Sequence, residues 1–279
     1  MIDAGRQNLK QILQQPDEEI DLAEAALMVA RLEYPDLDIP TCLDEIQQLA
    51  DEISHRLPEN PNAGHILNQL NLVLFVEKGF AGNSDNYYDP RNSFLNDVVE
   101  TRKGIPISLS ILYMEIGDRL GLPLSGVAFP GHFLVKLELD DGAIVLDPYF
   151  GGISLTEEDL DERLHEFYGD NAKKLPYEGL LATSSKKDII LRVMRNLRNL
   201  YMESEQWEKA LVMADQMVGL DSDSSDAIKA RAVIYDNLEC FGPALEDYKS
   251  YIGMARPDRE YQFIRYRMIE LSEACRHIS

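Results

Sequence analysis

The chain has 279 residues, and 49 Asp and Glu against 27 Lys and Arg give it a net charge of −22 at neutral pH. An excess of carboxylates on this scale repels phosphate, which argues against nucleic acid and anionic membrane surfaces as broad partners. The 45% hydrophobic content is ample for a core, and no apolar run approaches the roughly 20 residues needed to span a bilayer.

The charge is unevenly spread. Residues 1–185 hold 33 acidic and 13 basic residues (13 − 33 = −20), whereas residues 186–279 hold 16 and 14 (14 − 16 = −2). That step predicts two modules, residues 1–182 and 183–279, meeting at the polar stretch Thr183–Lys187. Cys42, Cys240 and Cys275 are odd in number and far apart, which fits reduced thiols rather than a disulfide framework. The opening MIDAGRQNLKQILQQ lacks the apolar stretch of a signal peptide, so a cytoplasmic location is expected.

In chain order, the first hundred residues read as helices. Ile20, Ala23, Leu27, Ala30 and Tyr34 follow a three-to-four spacing. Thr41 and Asp44 form a T-x-x-D capping pattern ahead of Ile46, Leu49, Ile53 and Leu57. After a Pro-Asn break, Ile66, Leu67, Leu70, Val73 and Leu74 mark a third helix ending at Gly79. A polar loop follows from Gly82 to Pro90 and contains Tyr87 and Tyr88. Gly104-Ile105-Pro106 opens a further helix to about Leu120, with proline in the first turn, and Gly121 and Pro123 end it. Val127–Phe129 reads as a short strand. His132–Leu139 alternates, Asp141-Gly142 signals a hairpin turn, and Ala143–Asp147 returns. Helices followed by a small antiparallel sheet make an α+β module.

The last module repeats itself. Tyr201, Trp207, Ala210 and Leu211 recur 34 residues later as Tyr235, Phe241, Ala244 and Leu245. That spacing is the tetratricopeptide period, in which a small alanine lets paired helices approach. Two repeats are fewer than usually stand alone, so the helix over Tyr261–Glu273 is expected to pack with them.

His132 follows Pro130-Gly131 and Asp147 ends the partner strand. A histidine oriented by an aspartate is half of a nucleophile–base–orienter triad, and a partly buried strand histidine beside a turn-capping aspartate is the alternative. An Asp141-Gly142 turn would pair Lys136 with Asp147, leaving His132 four residues away, roughly 13 Å at about 3.3 Å per residue. A dyad therefore requires a different register, a bulge or strong twist. The five histidines show no metal-ligand spacing, and neither a metal nor a cofactor is expected.

Gly104-Ile105-Pro106-Ile107-Ser108, Arg119-Leu120-Gly121-Leu122-Pro123, Pro130–Val135 and Leu146-Asp147-Pro148, in that order, resemble the transglutaminase-like fold. Together with Tyr87–Ser93 and the repeats, they make the chain similar to the bacterial Sir-B-one family over nearly its whole length. That resemblance implies a mainly helical, papain-like domain with a small antiparallel sheet, followed by all-α repeats. It places a nucleophilic cysteine at the start of the helix after Gly104, with His132 and Asp147 as its histidine and aspartate. Here the cysteine position is occupied by Pro106, which offers no reactive atom.

Ser108, and less so Ser110, could substitute in the same cleft, or both could be helix serines bonded to nearby backbone. Tyr87 and Tyr88 either line the cleft or pack the loop onto the core. Arg192, Arg195 and Arg198 form an i, i+3, i+6 stripe that either binds a partner carboxylate, meets the acidic first module or is solvated. Two functions follow. One is a regulatory or protein-interaction protein with a degenerate cleft and repeats that bind a protein or peptide. The other is a hydrolase or acyl transferase acting on peptide or amide bonds through a Ser108–His132–Asp147 triad.

Overall fold

The computed structural model describes residues 9–139, 142–169, 177–254 and 259–278. The chain forms two compact units, one through Val193 and one from Met194. Their border falls inside the Lys186–Glu203 helix rather than at Thr183–Lys187, for a physical reason. The helix's first turns are tied to the first unit by Lys186 N–H donating to Asp17 and Lys186 Nζ to the Ile20 carbonyl. Arg192 extends that attachment through the His132 carbonyl.

The first unit is built around the Pro106–Arg119 helix, in which every residue from Pro106 to Gly117 is buried. A helix apolar on all sides needs neighbours on all sides. Helices Leu22–Ala30, Ile39–Ser54, Ala63–Asn71 and Leu95–Thr101 cover it on one side, and the sheet covers it on another. Caps fix where these helices begin. Asp21 accepts from Glu24 N–H, and Asn62 and His65 form a reciprocal capping box. The second helix starts at Ile39, capped by Asp38, two residues before the expected Thr41 pattern. Thr41 donates its hydroxyl to Asp38 instead. The third helix ends at Asn71 and loosens into a π turn over Leu72–Glu77.

Strands β1 (Ala81–Gly82) and β2 (Lys103–Gly104) form a short parallel pair. Strands β3 (Leu124–Val127), β4 (Leu134–Leu139), β5 (Gly142–Asp147) and β6 (Ile153–Leu155) form an antiparallel sheet in sequence order. Helix Glu157–Tyr168 packs Leu160 and Leu164 onto Val127, Leu134 and Val145 of this sheet and onto Phe129 just beyond β3. Asp141 of the expected turn lies outside the described residues, but the pairing beside it is clear. Leu139 faces Gly142 and Lys136 faces Val145, not Asp147. The register is thus two residues off the simple hairpin, which moves Asp147 two places toward His132.

The second unit comprises helices Trp207–Leu220, Ser225–Asn237, Phe241–Met254 and Arg259–Ile278, with the end of the Lys186–Glu203 helix. Ala210 and Ala244 are fully buried, as the repeat pattern requires. The 34-residue period extends into the backbone: Glu205 and Glu239 both adopt left-handed φ, 57° and 56°. At each turn the next N–H closes on a tyrosine carbonyl, Gln206 on Tyr201 and Cys240 on Tyr235. Among the described residues, no helix is long and apolar enough to cross a membrane.

Candidate active-site cleft

The site is assembled at the start of the Pro106–Arg119 helix and one end of the sheet. The Pro130-Gly131 turn closes by His132 N–H donating to the Phe129 carbonyl, just before β4. Gly131 has φ +69°, and a Cβ there would collide with the Phe167 ring. Glycine therefore meets both the conformational and the steric demand of this turn. Asp147 ends β5 and is fully buried. With this turn and the shifted register, His132 Nε2 lies 3.1 and 3.0 Å from the two Asp147 carboxylate oxygens.

Asp147 is bonded from several directions. It accepts from Tyr149 N–H and Phe150 N–H as the cap of the 148–150 turn. Arg163 Nη1 donates to it at 2.6 Å. Burial by itself would raise the Asp147 carboxyl. Hydrogen bonding to His132, with the charges of His132 and Arg163, outweighs that and holds it below the usual carboxylate range. The carboxylate fixes Nε2 as the ring nitrogen that donates to Asp147, in either protonation state of the imidazole. The ring is stacked on Phe150 at 6.1 Å and meets Tyr149 edge-on at 5.8 Å. From behind, Arg192 donates to the His132 carbonyl and lies over Phe133.

His132 opens into a cavity of about 640 Å³. Pro106, Pro130, Gly131 and Tyr87 line one part of it, with Tyr149, Phe150, Ile153 and Leu155 beside them. Helix Glu157–Tyr168, started by a Thr156–Asp159 capping box, contributes Asp159, Glu162, Arg163, Glu166 and Phe167. None of these fourteen side chains is a serine, threonine or cysteine. The hydroxyls present are the phenols of Tyr87 and Tyr149, both pushed up by burial, with Asp147 adding to the effect on Tyr149, and so protonated near neutrality.

Several sequence expectations require correction. Ser108 is buried, and its hydroxyl donates to the Asn92 carbonyl at 2.5 Å while accepting from Ile105 N–H. It does not line the cavity, because an N3 position one turn into a buried helix faces the adjoining loop. Its effect is to dock that loop. Asn92 bonds the Asn86 and Tyr87 carbonyls and Asn83, which sets Tyr87 at the cleft. Tyr88 is not a lining residue; it is 71% exposed and leans edge-on against Tyr87. The arginine stripe does not act as one surface. Arg192 holds the His132 backbone, whereas Arg198 is buried and, with Arg195, pairs with Asp226. Ser110 is fully buried, and among the described residues its hydroxyl has no hydrogen-bond partner. Arg163 was missed because no motif marks it; the capping box ahead of its helix was the available signal.

Among the described residues, no group of three or more His, Cys, Asp or Glu is placed to hold a metal ion.

Comparison with known proteins fits this anatomy. Residues 40–195 match the transglutaminase-like superfamily, and residues 197–268 match the tetratricopeptide repeat. The chain is 37% identical to a UPF0162 protein of Xylella fastidiosa, over 92% of both chains. It is 29% identical to the UPF0162 protein YchA of Escherichia coli K12, over 84% of this chain and 86% of that one. Protein SirB1 of Salmonella typhimurium is 26% identical, over 85% and 88%. No solved structure matches the chain significantly.

Proposed function

The chain belongs to the transglutaminase-like superfamily, among the UPF0162 proteins with C-terminal tetratricopeptide repeats, and we propose that it is a protein-interaction or regulatory member whose cleft binds rather than cleaves. One observation carries this reading. Pro106 occupies the wall where the family resemblance puts the nucleophile, in a cavity with a histidine–aspartate dyad whose described lining residues offer no hydroxyl or thiol other than phenols. A base without an attacking group cannot start covalent acyl transfer.

The remaining parts serve binding. The dyad holds the imidazole in one orientation, the tyrosines present donors, and aromatic walls supply contact area. The repeats add a surface of the kind that takes protein segments, so the partner is a protein or peptide.

The test is labelling of the full chain with fluorophosphonate and iodoacetamide probes, read by peptide mass spectrometry. No labelling that depends on His132 is expected. Modification of Ser108 that disappears in His132→Ala would restore the hydrolase reading. As a positive control, Pro106→Cys places a thiol in the cleft. Its alkylation is expected to slow about tenfold or more when His132 is also replaced, since a neighbouring base raises the thiolate fraction.

A further inference from the structure

The cleft's two walls differ in chemistry, and the difference indicates what fits between them. On one side, Phe150, Ile153 and Tyr87 are 56%, 50% and 38% exposed, and Phe167 at 56% faces them from the helix. Large apolar side chains gathered around a cavity mouth are a mark of a binding surface. On the other side, Glu162 and Glu166, one turn apart, are exposed along the cavity. Neither has an ion-pair partner among the described residues. Among the described residues the one cation lining this wall, Arg163, is already matched by buried Asp147, so the described wall carries surplus negative charge.

We propose that the cleft binds an arginine side chain on an extended protein segment, its guanidinium laid against the aromatic wall and forked by Glu162 and Glu166. This rests on the binding reading of the same cleft. A flat, weakly hydrated guanidinium loses less on leaving water than an ammonium does, and it stacks on aromatic faces while donating in its plane. The protein uses this arrangement internally twice nearby: Arg163 lies 5.4 Å from the Phe150 ring centroid and Arg192 lies 5.3 Å from that of Phe133. An acidic segment would be repelled, and a purely apolar one would leave the two glutamates unpaired against it.

Fluorescence polarisation of the full chain against capped tetrapeptide pools tests this directly. Each pool carries arginine, lysine, glutamine or glutamate at one position among randomised apolar residues. The arginine pool is expected to bind about tenfold tighter than the glutamine pool, with lysine between them and glutamate weakest. Both glutamates are exposed, so E162Q/E166Q is expected to fold normally and to lose most of that preference. Equal binding of the arginine and glutamine pools, or an unchanged preference in E162Q/E166Q, overturns the proposal. Mass spectrometry of the recovered peptides separates the two claims. Hydrolysed or acylated peptide refutes the binding-only cleft, whereas intact peptide bound without charge preference refutes only the arginine assignment.

Discussion

The two units use charge in opposite ways. In the repeats, arginines are absorbed into the scaffold: Arg231 bridges Asp215 and Asp247, and Arg267 pairs with Asp236 and Glu270. Hydrogen bonding to Asp247, then Asp215, holds the Arg231 guanidinium fully protonated. The pairs with Asp215, Asp247 and Asp236 tie neighbouring helices together. In the first unit, a buried carboxylate is matched by a histidine and an arginine that line a cavity, while Glu162 and Glu166 on the same lining have no ion-pair partner among the described residues. A near-neutral net charge can therefore mark a module whose ions are structural. A large net charge can mark one whose surplus faces a cavity.

That contrast can be broken most severely at Asp147. Asp147→Ala strands the part-buried Arg163 and the His132 imidazole and removes a turn cap. It is expected to cost about 3–5 kcal/mol by urea denaturation. The pH dependence sharpens the point. The folded pKa of Asp147 is depressed below that of an unfolded aspartate, about 3.9. Its stabilisation is therefore fully present above about pH 4 and is lost as pH falls through the folded value. Wild type is expected to lose stability more steeply on the acid side than Asp147→Asn, and equal slopes would refute the assignment.

In the repeats, Arg231→Ala leaves largely buried Asp247 without its partner. It is expected to cost about 2 kcal/mol, less than Asp147→Ala because the pair is part-exposed. Thr156→Ala removes only the cap of the cleft helix. It is expected to cost about 1 kcal/mol and to weaken binding by loosening Glu162 and Glu166, measured by thermal melting and the peptide titration together.

Much of the architecture could be read from the residues alone. Pro106 at a first turn and Gly121 past a last one bracket the central helix, because proline lacks an N–H and glycine tolerates left-handed φ. The 34-residue recurrence of Tyr, aromatic and Ala positions gave the repeats. The left-handed turns at Glu205 and Glu239 could not be read, since glutamate is not a residue that advertises positive φ. The hairpin register lies two residues from that of an Asp141-Gly142 turn, because Gly142 pairs with Leu139 as the first residue of β5; an even shift keeps every side chain on its face, so alternation alone does not separate the two registers.

Within the cleft, the residues beside turns singled out His132 and Asp147 as a possible pair, and the family resemblance added Pro106 as the position of the missing cysteine. Tertiary structure decided the rest. It turned Ser108 toward Asn92, divided the arginine stripe between the His132 backbone and Asp226, and brought Arg163 to Asp147 across a helix and a strand. Spacing along a chain fixes which face of a helix or strand a residue occupies. Which neighbour that face meets is set only when distant segments pack, and there the cleft acquired its apolar and acidic walls.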